Sequence, residues 1–346
     1  MRNNAENVIE NKHSNRNKRI KNMRTPEELQ KIAIDLMEKQ VYNREPITLY
    51  EPIDYGMHQG GKRVRPLLCL IANEVCGGEL EKAFPAAVAV EMLHNFTLLH
   101  DDIMDKSPLR RGKPTVYQKY NTNRAILSGD TMFACSYNHL LQCDKSIVPD
   151  LVEIMTRGAI EVCEGQAYDM DFETRNDVSL EEYIEMIRLK TGVLLATALK
   201  LGAVTAGASA DTLSLLDTFG HYIGIAFQIQ DDIFDCWSDV EVFGKVSGTD
   251  IADRKKTFLY LKALELAKDN LKENLRELYC STDIPQETKT TKVKEIYEEL
   301  NVRTAAREAM EEYNRLALQA LEQMNVPNER KSLLVAFAEK LINRNK

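Results

Sequence analysis

Two stretches of the chain carry the same arrangement of acids. LLHDDIMD at residues 98–105 and QIQDDIFD at residues 228–235 each end an apolar run with the pattern D-D-x-x-D. On a helix, positions i and i+4 share a face about 6 Å apart, and i+1 is turned by about 100°. Asp101 and Asp105 therefore point the same way with Asp102 beside them, and Asp231, Asp235 and Asp232 repeat the arrangement. Three neighbouring carboxylates repel, and a helix C-terminus disfavours negative charge. Such a cluster is unfavourable unless cations occupy it. Hard divalent ions with oxygen ligands fit best, and Mg²⁺ combines a few carboxylates with water and substrate phosphate oxygens. A solvated acid cluster is the plainer explanation of one such motif. Two copies, each closing an almost wholly apolar helix, resist it, because a solvated cluster needs no buried helix behind it.

The chain is acidic, at a net charge of −8, so concentrated positive charge is informative. Gly60-Gly61-Lys62-Arg63-Val64-Arg65-Pro66 is one basic cluster. Arg110-Arg111-Gly112 follows the first acid motif, and Lys245 and Asp253-Arg254-Lys255-Lys256 follow the second. The Arg fork matches phosphate oxygens, and Lys supplies a point charge. Acids with cations in these places suggest two anionic substrates, a deep apolar pocket and metal-assisted departure of a diphosphate. The chain has no G-x-x-x-x-G-K-[ST] loop, no nucleophile elbow and no H-E-x-x-H.

The elements that must position these residues read almost entirely as helix. Thr25-Pro26-Glu27-Glu28 and Ser179-Leu180-Glu181-Glu182 have capping-box spacing. Period-2 strand patterns and βαβ alternation are absent. Gly77-Gly78, Ser107-Pro108 and residues 236–250 are expected loops. Residues 85–105 and 215–235 are apolar on most faces and belong in the centre of a helical bundle. Small residues along them (Ala86, Ala87, Ala89, Gly220, Gly224, Ala226) let neighbours approach closely. Gly192, inside a helical pattern, marks a kink that frees the Lys190 and Thr191 carbonyls. The last ninety residues read as amphipathic helices without identifiable chemistry.

Of the 346 residues, 44% are hydrophobic and 28% charged, ample for a large core. No linker divides the chain, so one all-α domain is expected over 25–346. Residues 1–24 hold seven Lys or Arg against two Glu, a net +5 that leaves −13 for the rest. This Asn-rich stretch reads as a disordered leader; an organelle transit peptide, or Met23 as the true initiator, are the alternatives. The acidic balance argues against a nucleic-acid partner, and no apolar run reaches a membrane span. The seven cysteines are odd in number and form no C-x-x-C, which points to reduced thiols in a cytoplasmic protein.

GGKRVRP, DDIMD followed by RRG, GQAYD at 165–169, Lys190-Thr191-Gly192 and FQIQDDIFD followed by GK together resemble the trans-isoprenyl diphosphate synthases, over roughly residues 25–260. The resemblance implies a single all-α domain of antiparallel helices around a deep cavity, as a homodimer. It implies that Asp101, Asp102, Asp105, Asp231, Asp232 and Asp235 hold three Mg²⁺ ions, for which Mn²⁺ can substitute, on an allylic diphosphate, with Gln166 and Asp169 supporting the metals. Arg110, Lys190, Lys245 and Lys255 would help hold that diphosphate. Lys62, Arg65, His94 and Arg111 would hold isopentenyl diphosphate. A carbonyl at Lys190 or Thr191, with Gln228, would face the developing cation. From the residues alone, His94 reads as readily as a core histidine.

Phe96 lies five residues before Asp101, about 7.5 Å along the helix, and would be a bulky floor for a growing product. Thr97 is small, and Leu93, Val90 and Ala89, behind Phe96, would leave room if Phe96 were removed. An aromatic at this position before an uninserted acid motif resembles geranylgeranyl synthases of the archaeal type, so a twenty-carbon product is favoured over a fifteen-carbon one. A longer-chain synthase remains an alternative. A terpene cyclase, a squalene- or phytoene-synthase-like enzyme, or a non-catalytic partner subunit fit less well. The cyclase's second metal motif differs, the first two lack GGKRVRP, and silent subunits typically lose acid motifs.

Overall fold

The computed structural model describes residues 23–237 and 248–342. Helices account for nearly all of it, as the patterning requires, and two compact units can be delineated. One comprises residues 23–159, 197–217 and 323–337; the other comprises residues 160–196, 218–322 and 338–342 within the described range. Among the described residues no helix is long and apolar enough to cross a membrane.

The first unit opens with α1 (Pro26–Glu38), started by the expected capping box: Glu28 N–H donates to Thr25 Oγ1 at 3.2 Å, and Thr25 N–H donates to Glu28 Oε2 at 2.8 Å. Then come α2 (Ile47–Met57), α3 (Val64–Cys76) and α4 (Phe84–Met104). Helix α4 is the apolar run ending in the first acid motif, and most of its side chains are buried. It stops in a Schellman turn. Asp105 caps it, Lys106 takes φ +50°, Lys106 N–H reaches Ile103 O at 3.3 Å and Ser107 N–H reaches Asp102 O at 3.0 Å.

The sequence pattern shows no strand here, but a two-residue ladder follows. Leu109–Arg110 (β1) pairs antiparallel with Lys113–Pro114 (β2). It is too short for a period to register. Its turn is Arg111-Gly112, at φ +54° and +74°, the left-handed pair a tight hairpin uses. Helices α5 (Val116–Tyr120) and α6 (Thr122–Leu140) follow, and α6 packs along α4. Met37, Ile53, Met57, Val88, Met92, Leu99 and Met132 fill the core between them, with Phe96 partly buried against it.

In the second unit, helix α7 (Val148–Thr174) contributes its later residues. Helix α8 (Leu180–Ile187) starts with the second expected capping box, Ser179 with Glu182. Where the sequence suggested a kink at Gly192, the helix widens into a π turn over Arg188–Gly192 before continuing as α9 (Val193–Thr205). Helix α10 (Ala210–Trp237) carries the second acid motif and runs past it. The remaining helices are α11 (Thr249–Ala252), α12 (Phe258–Leu266), α13 (Asp269–Cys280), α14 (Gln286–Glu299), α15 (Val302–Gln323) and α16 (Asn328–Ile342); residues 328–337 of α16, 197–205 of α9 and 210–217 of α10 belong to the first unit. This unit's core includes Phe172, Tyr183, Ile229, Phe258, Tyr279 and Tyr297.

Candidate active site

In the first unit the acids are not equivalent. Asp101 is half-buried and Asp105 exposed, while Asp102 points inward and is 2% exposed. Asp102 is gripped side-on by Arg110, whose Nε donates at 2.9 and 3.0 Å and whose Nη2 donates at 2.7 Å. Burial raises the Asp102 pKa, and the Arg110 hydrogen bonds oppose that shift. The expected cluster, Asp101 and Asp105 on one face with Asp102 beside them, thus resolves into an outward pair, Asp101 and Asp105, and an inward holder, Asp102.

The GGKRVRP segment is wound in left-handed backbone: Gly60, Gly61 and Arg63 have φ of +87°, +116° and +48°. It places its two arginines differently. Arg63, not singled out from the sequence, is buried and pairs with Glu91 at 2.8 Å and with the Met57 carbonyl. The signal was available, since Glu91 is a lone acid inside the apolar run of α4. Arg65 Nη1 donates to His94 Nε2 at 2.9 Å. An arginine can only donate, so Nε2 accepts and the His94 proton sits on Nδ1. Burial, and then Arg65 and Arg111, push the His94 pKa well below its usual value, so the ring is neutral. Burial likewise lowers Arg65, to about 10.

Arg111, thrown outward by the hairpin, donates to the Gly60 carbonyl and packs its guanidinium on Gly61. The Lys62 carbonyl accepts from Gln30 Nε2 at 2.8 Å, and the residue is exposed. Arg65, His94, Arg110 and Arg111 therefore form one electropositive neighbourhood with the first acid motif beside it. Phe96, one turn and a residue before Asp101, contacts the His100 ring at 4.8 Å and the Phe133 ring at 5.3 Å. Leu93 is buried, and Thr97 is half-buried with its hydroxyl bonded to the His94 carbonyl at 2.8 Å.

The second unit repeats the division of labour. Asp231 and Asp235 are partly exposed, and Asp232 is buried. Asp232 accepts from Tyr183 Oη at 2.5 Å, from Phe258 N–H at 3.1 Å and from Gln228 Nε2 at 3.4 Å. Burial, and then the Asp250 charge, push its pKa up to about 8 despite those donors. Asp250 itself is raised to about 7, by burial and then by Asp235. Asp235 is clamped by the Thr249 hydroxyl and by Asp250 N–H, the latter at 3.0 Å. Tyr183, Thr249 and Asp250 carry no recognisable sequence signal for this role.

The π turn presents the remaining groups. Lys190 pairs with Asp169, and Thr191 Oγ1 donates to Gln228 Oε1 at 3.2 Å. The α7 backbone lies so near that a Cβ on Gly165 would sit 2.5 Å from Lys190 N. Gln166, next to Gly165, is buried. Lys255 is exposed; its carbonyl accepts from Tyr279 Oη at 2.6 Å, and its charge lowers the Asp250 pKa. Lys245 lies outside the described residues.

Among the described residues, no three His, Cys, Asp or Glu side chains converge as a ready-made metal cage. All-oxygen carboxylate pairs at i, i+4 are what a hard cation sharing its sphere with water and phosphate requires, so the donor chemistry fits Mg²⁺. All seven cysteines are free thiols; Cys163 and Cys280 are exposed rather than core residues.

The polyprenyl synthetase family profile matches residues 46–300, and the chain belongs to that family. It is a short-chain trans-prenyltransferase of a class that acts on isoprenyl diphosphates and is generally metal-dependent. The short chain isoprenyl diphosphate synthase of Methanothermobacter thermautotrophicus is 36% identical over 303 residues, 87% of this chain and 92% of that one. A crystal structure of a geranylgeranyl pyrophosphate synthase superposes with a TM-score of 0.88 at 41% identity, covering 94% of this chain and all of the other. The geranylgeranyl pyrophosphate synthetase of Pyrococcus horikoshii gives 0.82 at 31% identity, covering 92% and 95%. These similar folds are all-α, as the sequence predicts.

Proposed function

We propose that this chain joins isopentenyl diphosphate head-to-tail to an allylic diphosphate (dimethylallyl, geranyl or farnesyl), releasing diphosphate and giving chiefly geranylgeranyl diphosphate. The observation that carries the reading is the arginine neighbourhood around Arg65, Arg110 and Arg111, set against an outward acid pair on the same helix end. It supplies direct phosphate ligands beside metal ligands, which suits two diphosphates bound in different ways.

In this reading Asp101, Asp105, Asp231 and Asp235 hold Mg²⁺, three ions in all, and Asp102 and Asp232 fix the motifs by their inward bonds. Bound Mg²⁺ supplies Lewis-acid stabilisation of the leaving diphosphate. Arg110 and Lys190 take the remaining charge that grows on that group as its bond to carbon breaks, with Lys245 and Lys255 nearby. Lys190 exchanges Asp169 for the diphosphate. Gln166 and Asp169 orient the cation-binding carboxylates through water.

The neutral His94, Arg65, Arg111 and Lys62 hold isopentenyl diphosphate with its double bond toward the allylic carbon. A π-turn carbonyl of Lys190 or Thr191 and the Gln228 amide oxygen offer partial negative charge to the allylic cation, and apolar walls exclude water from it. New C–C bond formation leaves a cation that loses one proton to the departed diphosphate.

Phe96 as the floor supports the twenty-carbon product. A homodimer is proposed through the apolar face of α6 and its C-cap, where Ile126, Leu127 and the cap residue Leu141 are 42%, 58% and 62% exposed. Residues 25–346 are proposed to act as one catalytic domain, in the cytoplasm.

The test is incubation of purified protein with Mg²⁺, isopentenyl diphosphate and each of the three allylic diphosphates, with sizing of the dephosphorylated products. Linear products ending at twenty carbons support the reading. Products far longer would keep the reaction and remove Phe96 as the floor. Cyclic hydrocarbons, or no condensation with any acceptor, would overturn it in favour of a cyclase or a silent subunit.

A further inference from the structure

We propose that a cavity at the C-terminal end of α11 binds a phosphate monoester carrying hydroxyl groups, such as a pentose phosphate, and that the bound ligand braces the segment clamping the second acid motif. The cavity lies within the second unit and measures about 560 Å³, in the range of small-molecule sites. Ala252, Arg254, Ser281, Thr282, Asp283 and Lys289 line it.

The two cations of this lining form no ion pair among the described residues. Lys289 is 5% exposed and stands in the first turn of α14, where positive charge is disfavoured. Its ammonium has three protons to place, and among the described residues its hydrogen bond is to the neutral Ala252 carbonyl, at 3.4 Å. Burial, and then the Arg254 charge, lower its pKa, while Asp253 and Cys280 offset part of that. Arg254 is held at φ +59° in the Schellman turn that ends α11: its N–H reaches Ile251 O at 3.3 Å, and Lys255 N–H reaches Asp250 O at 2.9 Å. Glycine ordinarily fills that position, and an arginine there carries strain. Two cations share one cavity, one of them buried and the other strained. They call for an anion, as crowded carboxylates call for cations.

The rest of the lining indicates what the anion is attached to. Asp283 would repel a second phosphate, but it accepts from hydroxyls, as it already does from Thr282 Oγ1 at 3.3 Å. A phosphate between Arg254 and Lys289, with hydroxyls toward residues 281–283, suits both ends. The Ala252 carbonyl held by Lys289 belongs to the same short segment that reaches the acids. Asp250 N–H donates to Asp235 at 3.0 Å, and Phe258 N–H donates to Asp232 at 3.1 Å. A ligand bridging Arg254 on that segment to Lys289 on α14 restricts residues 249–258, so these amides open less often.

The experiment titrates the full chain with ribose 5-phosphate by calorimetry and follows residues 249–258 by hydrogen exchange. Arg254→Gln and Lys289→Gln should each weaken binding by about tenfold or more, through loss of a charge-assisted contact. Arg254 is exposed, and a glutamine at residue 289 keeps a donor for the Ala252 carbonyl, so both substitutions spare the core. Arg111→Gln, in the other cationic neighbourhood, should bind as wild type does. With ligand at about ten times its Kd, exchange over 249–258 should slow by up to about tenfold in wild type and Arg111→Gln, and stay unchanged in the other two. No binding, or binding lost in Arg111→Gln and kept in Arg254→Gln and Lys289→Gln, would overturn the site. Ribose binding as tightly as ribose 5-phosphate would overturn the anion. Binding with unchanged exchange would overturn the bracing.

Discussion

Gly165→Ala tests whether the π turn must sit where it does. A Cβ at residue 165 would lie 2.5 Å from Lys190 N and 2.9 Å from both the Leu189 carbonyl carbon and Leu189 Cβ. Heavy atoms in good contact sit about 3.5–4.0 Å apart, so α7 and the π turn must separate by about 1 Å. Two of those three neighbours are backbone, which cannot swing aside as a side chain would. Overpacking of this kind costs about 1–3 kcal/mol, here near the upper end. Replacing a helical glycine by alanine returns about 1 kcal/mol of helix propensity. The net loss is about 2 kcal/mol, a fall in Tm of about 3 °C for a chain of this size.

The catalytic loss should be larger than the stability loss suggests. A displacement of about 1 Å moves the Lys190 ammonium and the Thr191 carbonyl together, and misplacement on that scale costs about 100-fold in rate. Calorimetry gives the first quantity, and kcat with saturating isopentenyl and farnesyl diphosphates gives the second. Gly207→Ala is the control: it stands at φ +74° with open space around it, so it should lose about 1 kcal/mol and keep its kcat. Wild-type Tm and kcat for Gly165→Ala would refute the reasoning. A lowered Tm with wild-type kcat would show that the turn's position does not matter to the reaction.

Asp102→Asn should destabilise by about 1.5–3 kcal/mol in urea unfolding, because Arg110 loses its charged partner; adding Arg110→Gln should restore part of the stability but not turnover. In metal-free buffer, Asp232 and Asp250 hold protons up to about 8 and about 7. The folded protein then binds more protons than the unfolded chain between about pH 4 and 8, so Tm in chelator should fall as pH rises through that window. A cation held by Asp231 and Asp235 favours the charged forms of these neighbouring acids, so its apparent affinity should weaken as pH drops from 8 to 6, by up to about tenfold per pH unit for each proton released. Tyr183→Phe removes the 2.5 Å donor to Asp232; it should cost about 1–3 kcal/mol and move the pH midpoint of Mg²⁺ affinity upward.

What could be read from the sequence was whatever local chemistry decides. Both capping boxes, the two buried apolar helices and the acid pairs at their ends follow from side-chain spacing alone. What could not be read depends on partners distant in the chain. The inward turn of Asp102 awaits Arg110 across a hairpin too short to show a period. The inward turn of Asp232 awaits Tyr183, 49 residues earlier, and the Phe258 amide. Arg63 and Arg65 look alike in GGKRVRP, and only the left-handed backbone at Arg63 sends one to Glu91 and the other to His94. Gly192 hinted at a kink, but nothing local distinguishes a kink from a π turn.

That π turn has a consequence for how the chain can vary. A single-turn widening is what one extra residue does to an otherwise regular helix. Deleting one residue between Arg188 and Gly192 would let α8 run into α9 with better hydrogen bonds, so the shorter sequence would be the better helix. The same deletion would rotate everything on one side of it by about 100° relative to the other. Tyr183 would swing away from Asp232, or Lys190 from Asp169. Length variation among descendants of this chain should therefore collect in its loops and stop abruptly at this turn, where a change that improves the helix removes the enzyme.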